Sequence, residues 1–264
     1  MSRQVIQSAN IYFSPTGTTR KIIRSVAAGL ALRPREMDLT LPSARSQRFI
    51  LERDELLVLA FPVHGGRLPK LALEIFQTLP AGHRPAVALV VYGNRAYEDA
   101  LLELYDLCVN KGYYLVGAAA FIGEHSYSHV MGRSRPDPAD LEAAKGLGLS
   151  LRHSLLGGDK VLSDTPLLAT AKRPYRGYSP KRNVLPETSK KCVGCLICVK
   201  NCPTGAFEGG DPRKIDPDKC VLCAACVKAC PEKAKSFNDD EFTDDMAAMA
   251  AANLDRKEPV IFLP

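Results

Sequence analysis

No apolar run in this sequence approaches eighteen residues. The richest stretches, "ELLVLAFPV" and "AVALVVYG", are strand-length, so a membrane-spanning helix is not expected. The opening "MSRQVIQSANIYFS" has one basic residue before its apolar stretch and no small-residue cleavage site, so no secretory signal is read and a cytoplasmic location is expected. The chain has neither G-x4-G-K-[ST] nor G-x-G-x-x-G, which removes the Walker-type and dinucleotide phosphate loops. Cysteine is scarce before residue 192: Cys108 stands alone, and the other eight of nine fall between Cys192 and Cys230. In a reducing compartment such crowding argues for metal ligation over disulfides.

What is present divides the chain. With 264 residues, 46% of them hydrophobic and 24% charged, there is material for one ordinary core and a smaller module. The expected division is a domain over 1–165, a linker over 166–188, the cysteine-rich module over 189–238 and a helical tail over 239–264. The tail begins "NDDEFTDDMAAMAAANL", an acidic start to an alanine-rich helix that reads as a cap.

The module contains "KCVGCLICVKNCP" and "KCVLCAACVKACP", each C-x2-C-x2-C-x3-C-P. Three cysteines at this spacing present thiolates to three corners of a cubic cluster. The fourth cysteine of such a run serves the other cluster, which accounts for the duplication. Cluster one is expected on Cys192, Cys195, Cys198 and Cys230, and cluster two on Cys220, Cys223, Cys226 and Cys202. Zinc normally uses separated C-x2-C pairs and is the bland alternative. By cassette, order and spacing, residues 189–238 resemble the bacterial two-cluster 4Fe-4S ferredoxins, a likeness that implies two 4Fe-4S clusters in a small, pseudo-symmetric α+β domain. These residues carry nine Lys and Arg against five Asp and Glu, net +4. Two oxidised clusters of about −2 each roughly cancel that excess, so the basic balance does not call for nucleic acid. "AKRPYRGYSPKR", residues 171–182, is read as a solvated linker, because its prolines block regular structure where the composition changes.

Strand-like and helix-like runs alternate from residue 4 to about 157, as in a parallel sheet covered on both faces. Strands are predicted over Val5–Phe13, Arg35–Asp38, Glu55–Phe61, Ala86–Tyr92 and Tyr114–Phe121. Helical stripes run through Ile22, Ile23, Val26, Ala27 and Leu30, through Leu101, Leu104, Leu107 and Cys108, and from Asp137 to a stop at Gly157-Gly158. Cys108 is read as helix core. The order predicts an α/β, flavodoxin-like, doubly wound parallel sheet of five strands with ligands at the carboxyl ends of the strands. After strand one, "SPTGTTRK" opens directly onto a helix. Ser14, Thr16, Thr18 and Thr19 supply hydroxyls and Gly17 a turn, a combination suited to a phosphate; an ordinary capped helix start is the alternative.

Ser14-Pro15-Thr16-Gly17-Thr18-Thr19 resembles the [ST]-x-T-G-x-T phosphate loop of the flavodoxins, and "FPVHGGRLP" and "YGNRAYEDA" follow strands three and four as their ring-holding loops do. The resemblance implies FMN. Pro62, Val63, His64, Gly65 and Gly66 would border one edge of its ring, and Gly93, Asn94 and Tyr97 the far side. Flavodoxins commonly stack a tryptophan on the ring; this chain has none, which leaves one face open with only His64 nearby. His125 and His129, after strand five, are further candidates for the same crevice.

A flavodoxin-like domain joined to a two-cluster ferredoxin resembles the flavodoxin-ferredoxin fusion proteins. It implies a protein relaying single electrons between two 4Fe-4S clusters and FMN and on to a redox partner, with no nucleic acid. An FMN-dependent reductase of a small substrate, fed by its own clusters, is the rival, and a flavin-free docking module a third possibility.

Overall fold

The structure is a computed structural model that describes residues 7–47, 49–52, 55–156 and 160–264. Residues 5 and 6 of the first predicted strand and the predicted Gly157-Gly158 stop lie outside that set. Strands β1 (Gln7–Tyr12), β2 (Arg33–Asp38), β3 (Glu55–Pro62), β4 (Pro85–Tyr92) and β5 (Tyr114–Ile122) alternate with helices α1 (Thr18–Leu30), α2 (Pro42–Arg45), α3 (Lys70–Thr78), α4 (Ala100–Asn110) and α5 (Pro138–Leu156). The strands pair in the order β2-β1-β3-β4-β5, all parallel. β3 and β4 are nearly continuous apolar runs because helices cover both of their faces. On one face, Ile11, Leu57, Leu59, Val90 and Ala118 meet α3 and α4, with Cys108 fully buried among them as predicted. On the other, Val58, Leu89 and Phe121 meet α1 and α5.

α1 and α5 cross unusually close. A Cβ on Gly29 would collide with the Lys145 carbonyl, and one on Gly148 with the Val26 carbonyl. Two facing glycines let the helix backbones touch, and the apolar stripe of α1 then closes on the sheet.

Short α6 (Thr165–Leu168) leads to the second domain, built from β6 (Glu187–Thr188), α7 (Ile197–Lys200), α8 (Ala225–Lys228) and β7 (Lys235–Ser236), with β6 and β7 paired antiparallel. α9 (Asp240–Ala251) is capped by the Asp239 carboxylate, which accepts from Phe242 N–H at 2.8 Å. The chain then returns to the first domain, where β8 (Val260–Phe262) pairs antiparallel with β5. Among the described residues the larger sheet therefore has six strands, one more than the alternation of runs predicts. Three residues are too short a run to register as a strand; the open edge of β5 supplies the pairing. Among the described residues, no helix is long and apolar enough to cross a membrane.

The segment expected to be a solvated linker is exposed along most of its length, but residues 172–178 are pinned to the first domain. Arg67 forms a two-pronged ion pair with Glu103, with bonds of 2.9 and 2.6 Å, and its guanidinium sits 4.8 and 4.5 Å from the ring centroids of Tyr175 and Tyr178. Arg176 N–H donates to Asp99 at 2.8 Å, and Arg173 reaches Asp106 and Asp164. Its prolines prevent regular structure, as read, but cations and tyrosines fasten it along α4.

Candidate functional site

The two cassettes fold alike. Each places the second residue after its first cysteine, Gly194 or Leu222, in the left-handed region, and likewise the residue after its second cysteine, Leu196 or Ala224. For the three non-glycine residues that conformation costs about 1 kcal/mol each, a strain offset elsewhere in the fold. The bend wraps the chain around the space between the thiols, and a single helical turn, α7 or α8, follows. The fourth cysteines are also treated alike: Ala206 N–H points at Cys202 Sγ at 3.3 Å and Ala234 N–H at Cys230 Sγ at 3.2 Å.

A cavity lies beneath the second cassette, and its wall includes Cys220, Cys223 and Cys226 together with Cys202 from the first. Phe207, Ile215, Ala224 and Ala225 complete an apolar lining. Burial pushes the Cys223 and Cys226 thiols up to about 12 and raises Cys198 and Cys220 as well. Thiolates form in such surroundings only when a cationic centre shares the space, so the donor set fits a multi-iron cluster. Among the described residues, no three His, Cys, Asp or Glu side chains converge as ligands of a single ion.

At the carboxyl edge of the large sheet, the structure brings together the loops that follow β1, β3, β4 and β5. Gly17, with φ +85°, turns the first loop into α1, and its N–H donates to the Ser14 carbonyl at 3.2 Å. The Ser14 hydroxyl accepts from Arg20 N–H at 3.0 Å, which caps the helix, while Ser14 N–H donates to Thr40 at 2.9 Å. Thr16 and Thr18 are half-buried beside this turn. Thr19 Oγ1 is buried without a hydrogen-bond partner at the start of α1, where first-turn N–H groups are also free of helical partners. An orphaned hydroxyl beside a helix N-terminus fits a terminal phosphate.

Pro62 ends β3, and Val63 N–H donates to the Val91 carbonyl at 2.9 Å. His64 and Arg67 exchange backbone bonds of 2.9 and 3.1 Å across a tight turn whose two central residues, Gly65 and Gly66, both have positive φ. Burial lowers the half-buried His64 imidazole well below its usual range. Gly93 lies under His125, since a Cβ there would strike the imidazole. Burial, aided by Lys228, Arg95 and His64, pushes His125 down to about 4, so it is neutral at pH 7. Asn94 and Tyr97 are occupied differently from the resemblance. The Asn94 amide donates to the carbonyls of Asn253 and Asp255 at 2.8 and 3.0 Å, and Tyr97 packs 5.5 Å from Tyr92 with its hydroxyl 3.3 Å from Thr170. His129 is exposed.

Reading histidines out of "GEHSYSH" passes over the tyrosine between them. Tyr127 donates to the carbonyl of Leu222, inside the second cassette, and its ring meets His125, Phe237 and Phe242 edge-on at 5.7, 5.4 and 5.2 Å. Burial beside Cys223 and Cys220 holds its phenol far above the usual range. Further contacts join the domains, among them Lys228 to Glu124 at 2.5 Å and to the Ser128 carbonyl at 3.4 Å, and Arg45 to the Pro203 carbonyl at 2.5 Å. Local sequence carries no signal for these, because each partner lies tens of residues away.

Residues 191–234 match the family model described as a 4Fe-4S dicluster domain. No curated protein matches the chain. Among solved structures, the chain is similar to a flavodoxin from the domain Archaea at 12% identity, over 57% of this chain and 99% of that one, with a TM-score of 0.41. It is similar to the flavodoxin of Streptococcus pneumonia TIGR4 at 15%, over 56% and 99%, TM-score 0.41. An NADH:FMN oxidoreductase in its apo form gives 18%, over 56% and 89%, TM-score 0.42. The fold of the first domain rests on its own strand order, and the chain joins a flavodoxin-like α/β domain to a C-terminal module that matches the 4Fe-4S dicluster family.

Proposed function

We propose that the protein transfers electrons within itself, relaying them singly between two 4Fe-4S clusters and FMN and on to a redox protein. The observation that carries this reading is the joint at Tyr127, where the loop after β5, beside the expected flavin crevice, is bonded to the second cassette at Leu222. When bound, the clusters supply one-electron exchange and FMN a store for one or two electrons. The chain's own part is to hold them. Cys192, Cys195, Cys198 and Cys230 would take one cluster, and Cys220, Cys223, Cys226 and Cys202 the other. Ser14, Thr16, Thr18 and Thr19, with the α1 N-terminus, would take the phosphate. His64 and the Gly65-Gly66 turn would border the ring on one side and Gly93 under His125 on the other. Both imidazoles are neutral, so neither adds charge beside the ring.

Rapid mixing with a reduced protein donor, comparing the wild type with Cys223→Ala, tests this. Loss of the second cluster should abolish most flavin reduction by the donor, while light-driven reduction of the flavin persists. Equal rates in the two proteins would sink the relay.

A further inference from the structure

The two cassettes are near-copies in sequence and backbone, but their surroundings differ. We propose that this difference makes loop 192–198 the docking face and single-electron port for a redox protein with an acidic surface, while residues 223–225 of the second loop are buried. The inference rests on the relay reading above and adds which end is open and to what.

Equivalent positions show the asymmetry. Cys223, Ala224 and Ala225 are 8%, 1% and 2% exposed; their counterparts are an exposed Cys195, Leu196 at 38% and Ile197 at 36%. Val193, beside them, is 69% exposed against 39% for its counterpart Val221. The covering of the second loop comes from the first domain: Tyr127 bonds Leu222, Glu124 pairs with Lys228 on α8, and Arg45 holds Pro203, the residue after the second cluster's expected fourth ligand. Nothing of that kind is bonded to residues 192–198, whose described hydrogen bonds stay within their own module.

An open apolar patch of Val193, Leu196 and Ile197 beside thiols that fit a cluster suits an interface core, and its rim states the partner's charge. Lys190, Lys191 and Lys200 are exposed around it, and no Asp or Glu occurs between Ser189 and Phe207. A partner with carboxylates around its own redox centre complements this rim, and the attraction would speed encounter and fix orientation. In the transfer, one electron leaves the reduced partner and one enters this chain. The partner is oxidised by one electron, the chain is reduced by one, and no bond or proton changes place.

The probe is a [2Fe-2S] ferredoxin with a strongly acidic surface, used with the cluster-loaded full chain. Binding of the oxidised ferredoxin is followed by fluorescence anisotropy, and electron passage from the reduced form by stopped flow. Lys190→Glu with Lys191→Glu should weaken binding and slow passage by about tenfold or more at low salt, and the gap should shrink at high salt. Lys145→Glu with Arg152→Glu, an equal charge change on the exposed side of α5, should do neither. Iron and sulfide content and reduction by a small photosensitiser should match the wild type in both variants. Absence of wild-type binding, unchanged behaviour of the Lys190→Glu, Lys191→Glu variant, or an equal loss with the α5 double reversal would overturn the port. Self-association lost on the same reversal would overturn it too, because the face would then belong to a second copy. If the wild type binds but passes no electron, the relay fails while the docking face stands; if electrons pass and reversal changes nothing, the docking face fails while the relay stands.

Discussion

A single hydroxyl marks where the first domain expects an anion. Thr19 Oγ1 is buried at the start of α1 with no partner, and a buried, unpaired hydroxyl is unfavourable unless something comes to meet it. A phosphate oxygen would do so with a charge-assisted bond. Thr19→Val keeps the shape and removes the donor, and flavin titration should show FMN affinity falling by about tenfold, with iron content unchanged. Undiminished affinity would mean that Thr19 has no part in the cradle. The loop's hydroxyls lie within six consecutive residues, so a candidate cradle can be read there without knowing the fold. Asn94 and Tyr97 show the opposite case: their residue types suit a ring contact, yet Asn94 is bonded to residues 253 and 255 and Tyr97 to residue 170, partners no local pattern could announce.

At the scale of elements, strands β1, β3, β4 and β5 and helices α1, α4 and α5 follow from apolar runs and periodicity, whereas the mostly polar β2 fits the alternation of elements; the observed bounds lie within a few residues of the predicted ones. The α1–α5 crossing does not follow from periodicity. Gly29 and Gly148 look like weak points in helices, and only the packing shows that each faces a carbonyl of the other helix. Gly148→Ala, which improves helix propensity, should nevertheless lower unfolding stability by about 2 kcal/mol, measured by chemical denaturation. A gain in stability would show that the helices can part at little cost. β8 has the same lesson: a three-residue strand forms because β5 has an open edge within reach of the returning chain.

Across the whole molecule, the cassettes predict that each cluster draws its fourth ligand from the other, and the cavity that joins Cys202 to Cys220, Cys223 and Cys226 has the composition that exchange needs. Cys202→Ala should therefore damage the cluster of the second cassette and leave that of the first, with iron content falling by about half and one of two magnetic signals surviving. A lesion confined to the first cassette would reverse the assignment.

Sequence alone determined the α/β class of the first part and the cysteine cassettes that match the 4Fe-4S dicluster family. Each rests on spacing within a short stretch, where bond geometry and helix or strand period convert residue type directly into position. Tertiary structure alone decided that residues 172–178 are pinned along α4, that the tail completes the sheet, and that Tyr127 joins the domains while one cassette stays the more open. These depend on contacts between residues far apart in the chain, set by which surfaces remain unburied after the local elements have formed, and no short-range pattern encodes them.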